Sequence, residues 1–278
     1  YGTHPAWPSS ARRDCSAGKV LLIATSQVLV PYRGAFGARR PPALGSVALP
    51  PAPMPSHRGL RPLQAWRYVG VYGAEVMACV ASVRIGPVRQ SFWALWDRAE
   101  GRLYERTALG SCGVQLSRGS VRIRDPSLAL DLVLEETDGI ETVCPSAGNY
   151  AWTRKQGGIP ASGSFELSAR RRRFVARAVV DDTAAYYPRQ TSWRWSAGVG
   201  RTIDDRPVAW NLVTGINDPP RDSERTVWID GEPMEVGPCM FTDDLSAVDG
   251  LRFEAEATRE RSENLLLARS TYQQPFGT

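Results

Sequence analysis

The chain has 278 residues, 42% of them apolar and 9% aromatic, with a net charge of +5; this excludes a disordered chain and supports one large core or two small ones. The cysteines, Cys15, Cys79, Cys112, Cys144 and Cys239, are odd in number, widely spaced and never in a C-x-x-C pair, which argues against a disulfide framework and a zinc site and fits a reducing, cytoplasmic setting. The only histidines are His4 and His57, so residues 66–278 exclude a Ser-His-Asp or Cys-His site, and no metal is expected there.

Residues 1–60 read as a Pro- and Arg-rich leader. Ten of the 21 prolines precede residue 66, where missing donors and fixed φ oppose regular pairing. Residues 1–65 hold eight Lys and Arg against one acid, Asp14, leaving 26 basic and 28 acidic residues for the rest, a net of −2. The basic character therefore belongs to the leader, which is expected to pack weakly over residues 1–28 and 41–60. The apolar run Val20 to Val30 follows Arg12, Arg13 and Lys19 but is too short to span a bilayer.

From Trp66 onward the pattern becomes short period-two runs closed by turn signals, which predicts antiparallel, all-β structure. Val121 and Ile123 alternate with arginines. Leu128, Leu130, Leu132 and Leu134 alternate strictly, and Asp138–Gly139 followed by Ile140, Thr142 and Cys144 reads as the returning half of a hairpin. Phe174, Ala176, Ala178 and Val180 form another apolar face, and Val227 and Ile229 lead into the turn Asp230–Gly231. Arg170 to Arg173 read as a solvated hairpin end. Leu251, Phe253 and Ala255 alternate, so the stretch to Ala268 is expected to be strand, loop and strand rather than helix. The spacing of strands points to barrels or sandwiches, and the echo of Ala65-Trp66-Arg67-Tyr68 in Ser192-Trp193-Arg194-Trp195 points to two tandem units. We expect a first unit over 61–160 and a second over 161–278, with its last strands beyond Thr278.

Phosphate-cradling loops are missing: Gly198-Val199-Gly200 lacks a third glycine and no G-x-x-x-x-G-K occurs, so no cofactor is expected. Acid or base work falls to carboxylates, tyrosines, Lys155 or a cysteine. Three segments combine polar and aromatic residues: Tyr150, Trp152, Arg154, Lys155 and Gln156; Asp181, Asp182, Tyr186, Tyr187, Arg189, Trp193, Arg194 and Trp195; and Trp210, Asn211, Asn217, Asp218, Glu224 and Arg225. Each such residue alone is more often a turn cap, ion-pair partner or core filler, but together they have the composition of a ligand pocket. The candidate catalytic residues are Asp182, Asp181 and Tyr186. Trp152, Arg154, Arg189, Trp193, Trp195, Trp210 and Asn211 are the candidate ligand-binding residues, expected to converge on one cavity.

The stretches PYRGAFGARR (31–40), WRYVGVYG (66–73), QSFWALWD (90–97), WTRKQ (152–156), VDDTAAYYPR (180–189), WRWSAGVG (193–200) and AWNLVTGINDPPRDSERTVWIDGEP (209–233) resemble the signature blocks of the bacterial domain of unknown function 2804 family. That resemblance implies no established activity or cofactor. More remotely, an acid-rich turn leading to a W-x-W strand is similar to two-domain lipocalin-like proteins that include carotenoid 1,2-hydratases and cyclase-type enzymes. In the family pattern the positions of Tyr187 and Gln190 are often histidine. Three functions follow as expectations: binding of a small, largely apolar molecule in a β cavity; cofactor-free hydration, isomerisation or cyclisation by a buried carboxylate; and nucleic-acid or surface binding through the basic leader. Of these the third is the weakest, and no nucleic-acid partner and no membrane span are expected.

Overall fold

The structure, a computed structural model, describes residues 29–265 and 268–278. Within them one 3-10 turn, Pro42–Leu44, is the only helical element and every paired strand is antiparallel. The all-β expectation holds, and no helix among the described residues is long and apolar enough to cross a membrane.

The arm carries β1 (Tyr32–Ala35), β2 (His57–Arg58) and β3 (Arg61–Pro62). A meander follows: β4 (Gln64–Tyr72), β5 (Val76–Ile85), β6 (Val88–Asp97) and β7 (Arg102–Leu109). Next come β8 (Val114–Ser117), β9 (Ser120–Arg124), β10 (Ala129–Leu134) and β11 (Ile140–Ser146), then two long strands, β12 (Asn149–Leu167) and β13 (Arg170–Ala185). A second sheet is built from β14 (Arg194–Arg201), β15 (Pro207–Thr214), β16 (Thr226–Ile229) and β17 (Glu232–Glu235). Two hairpins complete the chain: β18 (Ala247–Val248) with β19 (Leu251–Arg252), and β20 (Ala255–Leu265) with β21 (Ala268–Gly277).

The large sheet runs β7-β6-β5-β4-β13-β12-β10-β9-β8, and it curls until β8 approaches β5 and β6. Its concave face is filled by the alternating apolar residues seen in the sequence, among them Val69, Val80, Trp93, Ile123, Leu130, Leu132, Phe165 and Val180. Period-two alternation sends the intervening residues of β4, β5, β6, β12 and β13 to the opposite face. That face is covered by β14–β16 on one side and by β20–β21 on the other, through Met77, Trp96 and Phe276 in one cluster and Ala151, Tyr187, Val213 and Ile216 in another.

Several expectations are corrected. β10 and β11 do not form a hairpin with each other. Both pair with β12, β11 along its first half and β10 along its second, with a register shift between Gln156 and Ile159. Gly139 packs so closely on the Lys155 carbonyl that a Cβ would lie 2.6 Å from that oxygen, and Glu136 is drawn into the barrel by arginines, so residues 135–139 bridge two partners of one strand instead of reversing the chain. The boundary expected at 160/161 falls inside β12, which joins the two halves of the chain into one sheet. The arm is anchored at points that weak packing did not anticipate, although most of residues 51–60 are exposed: β1 pairs with β11, Leu44 and Leu49 are buried against Tyr150 and Trp152, and the Tyr150 hydroxyl donates to the Ala48 carbonyl (2.9 Å). Residues 1–28 lie outside the described part.

Other turns follow the sequence. β12 and β13 meet through Ser168 and Ala169, both at positive φ, which places Arg170 to Arg173 at a hairpin end as expected. Asp230 and Gly231, at φ of 53° and 86°, join β16 to β17 in the two-residue turn whose twist matches flanking strands. β20 and β21 are strands and not helix, as expected, although the alternating Leu251, Phe253 and Ala255 fall on β19, the following link and the start of β20 instead of on one strand.

Candidate functional site

Adjacent residues of one strand face opposite sides, and this divides the acid pair at the end of β13. Asp182 points into the barrel. There it pairs with Arg154 (2.7 Å) and Arg67 (2.9 Å), and both arginines also bind Glu136. Gln156 Nε2 and the Gly119 amide donate to Glu136 as well (3.1 and 2.8 Å), and the Arg154 guanidinium lies over the Phe36 ring. Two arginines against two carboxylates make this belt charge-balanced.

Asp181 points out of the barrel, toward the second sheet. Its Oδ1 accepts from Lys155 Nζ (2.7 Å) and from the Thr183 hydroxyl (2.8 Å), and its Oδ2 accepts from Trp66 Nε1 (3.1 Å). Lys155 also meets Glu224 (3.3 Å), whose other oxygen accepts from Asn217 Nδ2 (3.0 Å). Asn217 Nδ2 lies 2.7 Å from the Tyr187 hydroxyl, Asn211 Nδ2 donates to the Glu224 carbonyl (3.0 Å), and Trp195 Nε1 donates to Asn211 Oδ1 (2.8 Å). Lys155 and Glu224 are each 2% exposed, so the cluster buries one ammonium with two carboxylates.

Glu224 comes from the loop between β15 and β16. The Arg225 guanidinium fixes that loop by donating to the carbonyls of Asp218 (3.1 Å) and Pro219 (2.7 Å), and the Gly215 amide donates to Asp218 Oδ2 (2.7 Å). Arg33 on β1 reaches the same loop, donating to Ser223 O (2.7 Å) and to Thr226 Oγ1 (2.9 Å). The loop thus ties the arm to the cluster.

Burial raises the Glu224 carboxyl pKa; Lys155 opposes this and Asp181 adds to it, and the net shift is upward. Burial acts to lower the Lys155 pKa, but Asp181 and Glu224 outweigh it and hold the ammonium charged. Tyr187 is raised far above its ordinary value by burial and by Glu224, and Cys144 is pushed up to about 12 by the same two causes, which makes both inert as nucleophiles at neutral pH.

Beside the cluster lies an aromatic surface. Tyr68 on β4 is the cross-strand partner of Asp181, and the Trp195 ring meets the Tyr68 ring edge-on at 5.3 Å. These two residues occupy equivalent positions in the sequence echo. Trp66 stacks on Tyr187 at 6.0 Å. Trp66, Tyr68 and Trp195 are all half-buried. The arrangement can hold an apolar body against rings while a charged ammonium and a carboxyl of raised pKa stand at one end.

The expected single convergence of site residues does not form. Asp181, Trp195 and Asn211 come together in the outer cluster. Arg154 and Asp182 lie on the opposite face, inside the barrel. Trp152 belongs to the arm-covered end and donates to Glu141 (2.9 Å); Tyr186 lies there too, donating from its hydroxyl to the Pro55 carbonyl (2.7 Å), which is a structural task. Trp210 faces away from the large sheet, with its Nε1 on Ser196 Oγ (3.0 Å), while Trp193 is 51% exposed and Arg189 is exposed. Lys155, Tyr187, Asn217 and Glu224 belong to the three polar-aromatic segments but not to the assigned site residues, and Trp66 belongs to neither. An open concavity of about 930 Å³ lies elsewhere, lined by residues such as Gln115, Arg122, Asp131 and Arg173, and contains none of the expected site residues. Within the described residues no group of His, Cys, Asp and Glu has a metal-binding arrangement.

Residues 114–278 match the family described as Domain of unknown function (DUF2804). The chain belongs to that family. The match includes β8 to β21, and with them Lys155, Asp181, Trp195, Asn211 and Glu224, so most of the outer cluster of this DUF2804 chain lies inside the family region. No curated protein matches the sequence at a significant level. Among solved structures it is similar to an AttH-type protein from Nitrosomonas europaea, with a TM-score of 0.43 and 14% identity over 68% of this chain and 74% of that one. Kievitone hydratase from Nectria haematococca gives 0.46 and 8%, over 76% and 86%. CghA in complex with Sch210972 gives 0.30 and 12%, over 73% and 68%.

Proposed function

We propose that this DUF2804 chain binds a small, largely apolar molecule on the outward face of β4 and β13, between the large sheet and β14–β15. The observation that carries the reading is the juxtaposition of three half-buried rings, Trp66, Tyr68 and Trp195, with a fully buried and charge-unbalanced ion cluster. A purely structural interior gains little from such a cluster, because desolvating three charges costs as much as their attraction returns. Native mass spectrometry and solvent extraction of the purified full-length protein test it. We expect a co-purifying apolar species that disappears in Trp195→Ala. A protein found only at its own mass, with no extractable species and no affinity for dodecanol, overturns the reading.

A second reading, cofactor-free acid–base catalysis on the bound molecule, is favoured by the Lys155–Asp181–Glu224 arrangement. Here Glu224, whose pKa burial raises, is the group assigned to exchange a proton, and Asp181, oriented by Lys155, Thr183 and Trp66, faces the aromatic surface. The reaction class is proton addition to or removal from an unsaturated carbon, as in hydration, isomerisation or ring closure. Asp181→Asn keeps the volume and removes the charge. It is expected to leave binding of a neutral molecule within about tenfold, about 1.4 kcal/mol, and to abolish turnover. Asp182→Asn, on the other face, is the control and leaves turnover intact; equal loss in both variants counts against catalysis.

A further inference from the structure

One cross-strand row runs over the outward face from the ion cluster to the far side of the sheet: Lys155, Asp181, Tyr68, Ala81, Phe92 and Thr107, on β12, β13, β4, β5, β6 and β7. At its far end stands Arg259 of β20. This side chain is fully buried, with its guanidinium 4.4 Å from the Phe92 ring centre and 5.1 Å from that of Tyr272. Its Nε donates to Glu105 Oε2 (2.5 Å) and its Nη2 to Thr107 Oγ1 (2.5 Å), but Nη1 is buried without a hydrogen-bond partner among the described residues. Arg261 shares the same carboxylate through Glu105 Oε1 (3.1 Å). Among the described residues, two guanidiniums against one carboxylate leave a surplus positive charge, directed among rings where an unmet N–H is costly.

We propose that Arg259 seats the carboxylate of an acid-headed, otherwise apolar molecule, whose body lies along the row past Phe92 and Tyr68 and whose far end reaches Asp181. This deepens the binding reading and rests on it. A surplus of one charge fits a monoanion; a doubly charged phosphate would leave an uncompensated negative charge in the same apolar surroundings. A guanidinium matches a carboxylate in plane and in donor spacing. Three strand spacings separate Asp181 from Phe92, about 14 Å, which sets the length of the molecule. Ala81, the small member of the row, stands between the two rings. Entry is from the hairpin side: β20 and β21 pair only with each other, so lifting them from the sheet breaks side-chain contacts such as Gln274 Nε2 to the Tyr68 hydroxyl (3.0 Å) and no strand ladder.

The test uses the full-length protein with dodecanoate and dodecanol as probes, read by calorimetry at pH 8. The wild type is expected to bind the acid at least tenfold more tightly than the alcohol. Arg259→Gln loses that preference and keeps its affinity for the alcohol within about threefold, while Glu105→Gln, which adds to the surplus charge, tightens the acid further. Should Arg259→Gln fail to fold, the wild-type preference and the Glu105→Gln result decide. Equal affinity of the wild type for the two probes overturns the carboxylate seat and leaves the apolar-binding reading standing. No affinity for either probe overturns both.

Discussion

The two faces of β12 and β13 carry ion clusters placed back to back, built from neighbouring residues. Inside the barrel, Arg67, Arg154, Glu136 and Asp182 balance in charge, and among them only Arg67 Nε is buried without a partner. Outside it, Lys155, Asp181 and Glu224 carry excess negative charge, a carboxyl of raised pKa and an adjoining aromatic surface. The inner group is a solved electrostatic problem capped by the arm. The outer group holds a buried carboxyl whose pKa is raised, a kind of perturbation that functional sites carry more often than scaffolds.

That contrast is breakable by substitution. The largest expected effect is on the inner face: Arg154→Met strands a buried carboxylate and should destabilise by about 3–5 kcal/mol, measured by urea unfolding, with no change in ligand affinity. Ligand loss in excess of the stability loss would mean that the inner belt takes part in binding. Next is Glu224→Gln. Because the folded-state pKa of Glu224 lies above its ordinary 4.5, its contribution to stability is fully present below 4.5 and is lost as pH rises through the raised pKa. Glu224→Gln should flatten this fall above pH 4.5; an unchanged profile would show that another group causes it.

A smaller effect of opposite sign is expected at the hairpin. Hydrogen bonds from Arg98 and Trp96 depress the Glu256 carboxyl below its ordinary 4.5 and pin β20 to β6. Its contribution is present above pH 4.5 and is lost as pH falls through the depressed value. The pair is partly exposed, so Glu256→Gln should cost at most about 1 kcal/mol and remove that acid-side loss; hydrogen exchange in β20 measures it. The smallest effect belongs to Trp193→Ala, within about 0.5 kcal/mol and silent in binding, since that ring is half in solvent.

Alternation made the barrel interior legible: Leu128 to Leu134 and Phe174 to Val180 face inward as their period requires. The same parity separates Asp181 from Asp182 and Arg154 from Lys155, so the division of the acid pair was written in the sequence, although composition alone grouped them. Illegible was what depends on distant partners. Nothing local marks β11 for β12 rather than β10, and Glu224 reaches Lys155 only because β15 and β16 cross over β12. The arm misled for a related reason, since prolines that forbid a ladder do not prevent Leu44 and Leu49 from filling the end of a barrel.

The pairing of β12 with β13 has a consequence for assembly. Sliding one strand past the other by a single residue would carry Arg154 away from Asp182 and Lys155 away from Asp181 at the same moment, breaking an ion pair on each of two faces and taking from Asp181 its cation. Apolar strands tolerate such slips, because one valine replaces another. Here every wrong alignment is expelled by water-loving groups on both sides, so the charges act as a proofreading device that admits one alignment of the longest strands.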